Sequence, residues 1–594
     1  PDDNYGYIQR LNNDAEQKRA GGGGVYYHTS YWGRPHDYLW LSSTHPSLIR
    51  EEMMKAFEMK TGRLWVLNVG DIKPHEYNIE MFMDMAFDPL PFKDGRYSKQ
   101  HLLTWVEKIF GKENAQIIEP VLWQYYQLAF ERKPEFMGWS QTEPTTQTKY
   151  TGYNHFYYGD EAQRRIDKYE EIEKEVKALR SQIASKDADA FYQLVYYPVV
   201  CASLMNKKFL YRDKSWLYAK QNRLSASDYA ALSKQAYDSI VSETAYYNNN
   251  VADGKWKNIM SMAPRGLPVY DPPVLTEIKI DSSAVWGLAP EGFVNKDSSL
   301  VSISNKLQLP QFNWWENKKY FVDLFLSDDK VVNWSAATSS KWISLSQEKG
   351  TLSPDFGKKQ LRIWVTIDWS KAPADEEKIS GTISFTGGGK TLSVQVACNN
   401  LKDDKLKNFK GFIESNGYVS IHASNFSRQT NIAGRRWEVV DGLGHTGKVI
   451  EAFPLQLKTK IDTSNSALLK STTPSVEYDF YTLAAATPEI TIYTLPTHPV
   501  NNNYSMRYAV SIDDGALQIV NFRTAGRSEE WKQNVLRNSA SRKVVSNLLA
   551  AGKHTLKIYM IDPGVIIDRI LINMGGLQKA YSILEETKRG SIVQ

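Results

Sequence analysis

The residues of this 594-residue chain best equipped for chemistry stand close together at its start. They fall in Pro1-Asp2-Asp3-Asn4-Tyr5-Gly6-Tyr7, Gly24-Val25-Tyr26-Tyr27-His28-Thr29-Ser30-Tyr31, Pro35-His36-Asp37-Tyr38-Leu39-Trp40 and Asn68-Val69-Gly70-Asp71-Ile72-Lys73-Pro74. Carboxylates, His, Asn, Tyr and Trp reach a density here that no other segment matches, and the set suits a sugar-processing cleft. Glycoside hydrolysis needs one protonated carboxyl at the leaving oxygen, and inversion needs a second carboxylate roughly 6.5 to 9.5 Å away to activate water. Asp2, Asp3, Asp37, Asp71 and Glu76 are available, and spacing along the chain does not choose among them. His28 is placed to hydrogen-bond a hydroxyl or a uronate, and Asn68 offers a donor and an acceptor. Lys73 or Arg34 could pair with an acidic group on a ligand, Arg with bidentate geometry. No His-x-x-x-His or Cys pair lies nearby, so the sequence calls for no metal and no cofactor.

The elements that must position these residues read as a βα repeat. Val25-Tyr26-Tyr27 and Leu64-Trp65-Val66-Leu67 are short apolar runs, expected as strands buried on both faces. Pro46 to Lys60 and His75 to Phe87 carry apolar residues at helical spacing. Strand, helix, strand, helix predicts a parallel sheet, closed as a barrel or left open, with ligands at the carboxyl ends of the strands. His28, Ser30, Asn68, Gly70 and Asp71 fall at those ends. A full barrel needs eight βα units and about 250 residues, whereas about two and a half units are legible. The expectation is a fragment that lacks the first part of a barrel.

Three stretches carry a resemblance: Pro1-Asp2-Asp3-Asn4-Tyr5-Gly6-Tyr7-Ile8-Gln9-Arg10, Gly24 to His36, and Asn68-Val69-Gly70-Asp71-Ile72-Lys73-Pro74. In order and spacing they resemble the catalytic barrel of glycoside hydrolase family 115, the xylan α-1,2-glucuronidases, and the resemblance continues through Arg132-Lys133-Pro134-Glu135-Phe136 and weakly to Gly576 to Tyr581. The resemblance implies an inverting α-glucuronidase that removes glucuronic acid or its 4-O-methyl ether from glucuronoxylan. Arabinogalactan is an alternative substrate, and a non-catalytic carbohydrate-binding or scaffold protein an alternative function. It implies Asp2 and Asp3 as catalytic carboxylates, with the acid and base roles unassigned. Asn4, Tyr7, His28, Tyr31, Arg34, Asp37, Tyr38, Asn68, Asp71, Lys73, Glu76 and Glu135 are the implied substrate-binding residues. The implied partner is plant cell-wall polysaccharide, the implied setting bacterial, secreted or periplasmic, and a homodimer is compatible with it.

Composition sets the outer limits. Hydrophobic residues make up 42% and charged residues 23%, as in an ordinary globular protein, and the length calls for three or four domains. A net charge of +5 over this length predicts neither nucleic-acid nor membrane binding. The 17 Trp and 34 Tyr exceed what a core alone requires and suit sugar stacking. Cys201 and Cys398 are too far apart in sequence to suggest a disulfide.

Four domains are expected: the C-terminal part of a (β/α)8 TIM barrel over 1–110, a helical bundle over 111–272, an immunoglobulin-like β-sandwich over 273–402 and a jelly-roll-like β-sandwich over 403–594. Ile166, Tyr169, Ile172, Val176, Leu179 and Ile183 mark a helix of about six turns. Ser227 is the expected N-cap of another, and Pro198 the expected interruption of a third. The aromatic-rich segment from Lys133 to Tyr158, with Glu135 and Trp139, reads as a functional loop or a packing lid. Trp437 reads as a core residue before a sugar platform.

Overall fold

The computed structural model describes residues 1–138, 148–264, 266–275, 284–294, 306–401, 406, 408–432 and 434–587. A short hairpin, β1 (Asp3–Asn4) and β2 (Tyr7–Ile8), leads into β3 (Gly24–His28), α1 (Pro46–Glu58), β4 (Leu64–Asn68) and α2 (Glu76–Phe87). β3 and β4 pair in parallel with His28 opposite Asn68. A Cβ on Gly24 would lie 2.4 Å from the Leu64 carbonyl oxygen, so only glycine lets the strands meet there. Asp2 adds a parallel bridge to Tyr26 on the far side of β3. α1 begins with Pro46 at its first turn and with the His45 side chain accepting from Ser47 N at 3.1 Å, which stops the chain from extending the helix backwards.

The expectation of strands buried on both faces is corrected. Tyr26, Leu64 and Val66 are 42%, 65% and 41% exposed, because helices cover only one face of this narrow sheet. The described residues form a βαβα unit and no closed barrel.

Helix α3 (Tyr97–Glu131) bends at Gly111, which has φ 80°, and runs through the boundary expected at residue 110. With α4 (Glu161–Arg180) and the helices Tyr197–Lys220 and Ala226–Asn249 it encloses a single core. Val25, Tyr27, Ile49 and Phe82 belong to the same cluster as Leu122, Tyr169, Val195 and Ile240. Before Pro198 the helix widens to a π turn over Tyr192–Tyr196, so the proline sits in a new first turn where its missing N–H costs nothing. Ser227 is not an N-cap. The helix starts at Ala226, and Ser227 Oγ donates to Leu224 O at 2.8 Å.

The next unit is a sandwich of a five-stranded and a four-stranded sheet, antiparallel apart from one short parallel pair, around Trp286, Val322, Ile363, Phe385 and Val394. The last unit packs two six-stranded sheets around Val419, Ile450, Tyr478, Tyr508 and Ile570. Trp437 lies in that core, 1% exposed, so it offers no sugar platform. Cys201 and Cys398 are free and buried. Among the described residues no helix is long and apolar enough to cross a membrane.

Candidate active site at the ends of the parallel strands

The β1–β2 hairpin turns on Tyr5 and Gly6, with φ of 56° and 86°, as a two-residue connection requires. Tyr5 tolerates that conformation because its hydroxyl donates to the carbonyl of His36 at 2.8 Å or of Gly33 at 3.0 Å. Asp3 is fully buried beneath the turn. Its Oδ2 accepts from Gly6 N at 2.8 Å, and its Oδ1 lies 2.7 Å from His28 Nδ1, which makes Nδ1 the donor to an ionised carboxylate. Asp2, the next residue back, is 62% exposed, with Oδ1 4.0 Å from the same His28 nitrogen.

Burial raises the Asp3 carboxyl above its usual range, and the bonds from His28 and Gly6 offset this only in part. At His28 burial opposes protonation, but the hydrogen bond and charge of Asp3, together with the charge of Asp2, outweigh it and raise the imidazole above its usual 6.5. The site is therefore a half-buried His, held by one buried carboxylate and flanked by a second in solvent.

Ligand atoms of Asp2, Asp3 and His28 all lie within 4.8 Å of one another. Among the described residues they could close on a cation, although Asp3 Oδ1 and His28 Nδ1 already engage each other. The same distance bears on the expected pairing. One oxygen of Asp2 and one of Asp3 lie within 4.8 Å of each other, and Asp3 is hydrogen-bonded to the turn and the imidazole. Asp3 is buried with both oxygens engaged, and Asp2 is the carboxylate exposed to solvent.

Tyr31, Asn4 and Asn68 are gathered around this pair. The Tyr31 ring lies 5.2 Å from His28 and its hydroxyl 3.4 Å from Asn4 Oδ1. Burial and then the charges of Asp3 and Asp2 raise its pKa, with Arg527 opposing. Asn68 Nδ2 donates to Tyr26 OH at 2.6 Å, while its Oδ1 accepts from Gly70 N at 3.1 Å.

The remaining expected residues are dispersed. Tyr7 is buried, its hydroxyl donating to Asn538 Oδ1 at 3.0 Å, so it anchors the C-terminal unit and faces no ligand. Asp37 is buried and accepts from Gly33 N at 2.5 Å. Tyr38 is buried with Lys133 Nζ 4.3 Å from its ring. Glu135 is buried and accepts from Leu41 N at 3.0 Å. Lys73 pairs with Glu76 at 3.0 Å, Gln193 donates to the same carboxylate at 2.8 Å, and Lys73 lies 4.4 Å from the Trp256 ring. That pairing leaves neither Lys73 nor Glu76 uncommitted. Arg34 and Asp71 are exposed. In the segment from Lys133 to Tyr158, Trp139 lies outside the described residues. Tyr153, His155 and Phe156 are buried, which makes that part packing.

Two residues beside the site, and one beneath Tyr38, were missed. Tyr26 shares the strand face of His28, its ring 4.5 Å away, and the two-residue alternation of a strand could have found it. Lys133 lies beneath Tyr38, bonded to Ser43 Oγ at 3.2 Å, and burial brings its ammonium down to about 7 although Glu135 opposes the change. Arg527 comes from the last unit, and no sequence signal connects it to Tyr31.

Comparison with known proteins places the chain beside one family. Residues 1–136 match the sequence model of Glycosyl hydrolase family 115, and residues 411–586 match that of the Glycosyl hydrolase family 115 C-terminal domain. Among solved structures, a novel family GH115 4-O-methyl-α-glucuronidase, BtGH115A, with specificity for decorated arabinogalactans, is 27% identical with a TM-score of 0.62. The match covers 96% of this chain and 54% of that one, so this chain spans about half the length of the protein it resembles. A family 35 carbohydrate-binding module from Clostridium thermocellum is 14% identical with a TM-score of 0.18, over 26% of this chain and 97% of that one. At that score the likeness decides nothing about the fold. No curated protein matches the chain.

Proposed function

Because this chain belongs to glycoside hydrolase family 115, we propose that it carries part of the active site of an α-glucuronidase, built on a partial (β/α) barrel. The observation that supports this reading most is the Asp3–His28 pair beside the open carboxylate of Asp2, at the ends of two parallel strands. An imidazole held by Asp3 and raised above its usual pKa presents positive charge to the carboxylate of a uronic acid. Asp2 serves as one of the two carboxylates of an inverting reaction, and its counterpart is a carboxylate farther away than Asp3. Tyr31, Asn4, Asn68 and Tyr26 bind sugar hydroxyls around it. The substrate is a plant polysaccharide bearing glucuronic acid or its 4-O-methyl ether, either glucuronoxylan or arabinogalactan. A polymer of that kind is met outside the cytoplasm, in a secreted or periplasmic setting.

The test is release of uronic acid from glucuronoxylan and from arabinogalactan, followed with retention on each insoluble polymer. Release from either supports the enzyme, and the faster of the two names the backbone. Retention with no release from both would replace it with a carbohydrate-binding protein.

A further inference from the structure

A cavity of about 660 Å³ opens away from Asp2 and His28, where three parts of the chain meet. Its walls come from Tyr157 to Asp167 at the start of α4, from the sandwich strands Tyr320–Leu326 and Gln360–Ile367, and from Asn416 to Tyr418 of the last unit. Three features of the lining point to a ligand.

The first is Glu291, just past the strand Trp286–Pro290. It is 2% exposed, its Oε1 accepts from Gly159 N at 2.9 Å, and its buried Oε2 has no partner among the described residues. Burial raises this carboxyl to about 7, against the pull of the Gly159 N–H and of Arg362. A buried oxygen left unsatisfied costs free energy unless something enters to bond it. The second is Trp364, half-buried, with Lys319 Nζ 4.4 Å from its ring, so an apolar face and a positive charge are presented side by side. The third is the charge balance. Arg164 is paired with Glu585, Lys318 with Glu316, and Arg362 with Asp160 and Asp323. Lys306 and Lys319 line the same space with no ion pair among the described residues.

An aromatic face, a carboxyl able to give or take a hydrogen bond and unpaired ammonium groups together suit a sugar that carries a carboxylate. We infer that this junction cavity is a second carbohydrate site, which takes a short oligosaccharide bearing a uronic acid. Trp364 stacks a ring, Glu291 bonds a hydroxyl, and Lys319 with Lys306 faces the carboxylate. The inference does not depend on any chemistry at Asp2 and His28.

The probe is xylotriose carrying one glucuronic acid through a sulfur-linked bond that resists hydrolysis. Its binding to the whole protein is measured by titration calorimetry, beside its methyl ester and plain xylotriose. Binding of the acid should fall about tenfold in Trp364→Ala, the upper range for lost aromatic stacking, and by a similar factor in Lys319→Met and in Glu291→Gln. The methyl ester and xylotriose should bind the unaltered protein at least as weakly. His28→Ala should leave this binding event in place, which separates it from the site at the parallel strands. Lys319 is exposed, so its variant folds even if that of Glu291 does not. No binding by the unaltered protein, equal binding by the ester, or unaltered affinity in both Lys319→Met and Trp364→Ala would overturn the inference.

Discussion

Asp2 and Asp3 are neighbours in sequence with opposite environments, since a strand turns successive side chains to opposite faces. One is open to solvent and the other is sealed under the Tyr5-Gly6 turn, so their substitutions should differ. Asp3→Asn removes the acceptor that orients His28 Nδ1 and the charge that raises its pKa. The His28 titration followed by NMR should move to lower pH, and uronic acid release should fall by orders of magnitude with oligosaccharide affinity largely kept. Asp2→Asn should lower turnover comparably while disturbing the His28 titration less. An unmoved titration in Asp3→Asn would remove the dyad. The sign for stability follows from the same shift. With its folded pKa raised above 6.5, His28 contributes stability that is full below 6.5 and lost as pH rises through the folded value. Urea denaturation should therefore show His28→Gln costing more at about pH 6 than at about pH 9.

At the scale of elements, the hairpin β1–β2 serves two roles. Its first strand leads from Asp2 into the site, and its second hands Tyr7 to the last unit through Asn538, whose amide also donates to Phe130 O at 2.8 Å. Tyr7→Phe leaves Asn538 Oδ1 without that donor in a buried setting and should cost about 1 to 2 kcal/mol. The measurement is the thermal midpoint, and an unchanged midpoint would show that the contact carries no stability. The pattern of helices was legible because α1, α2 and α4 keep their apolar residues at helical spacing over three or more turns. The start of the helix at Ala226 was not, because Ser227 read as its cap, and which residue enters the first turn depends on the path of the preceding chain.

Across the whole molecule, a chain of buried charges ties the helical unit to the first sandwich. Asp323 receives Arg223 at 3.0 Å and Arg362 at 2.7 Å, and Arg362 reaches Asp160, which also holds Lys214 at 2.9 Å. Burial alone would raise Asp160, yet Lys214 and Arg362 bring it down to about 2. Asp323→Asn leaves the Arg223 guanidinium buried without its counter-charge and Arg362 with Asp160 alone, and the expected loss is on the order of 3 to 5 kcal/mol. Because the network spans both units, denaturant unfolding followed in each should shift together. A shift confined to one would show that the units unfold independently.

The sequence by itself determined the order of the units, the βαβα start and the crowding of His28, Asp2, Asp3, Asn4, Tyr31 and Asn68 around the strand ends. All of these follow from local periodicity and from motif residues within a few positions of a strand. The tertiary structure decided which of those residues are open to a ligand. Tyr7 and Glu135 carry the same polar groups as Tyr31 and Asp2, but distant parts of the chain take their hydrogen bonds, and Asp37 and Tyr38 are buried with them. Burial depends on what packs from far away in sequence, as do the approach of Arg527 to Tyr31 and the cavity beside Glu291, and no spacing within a motif records it.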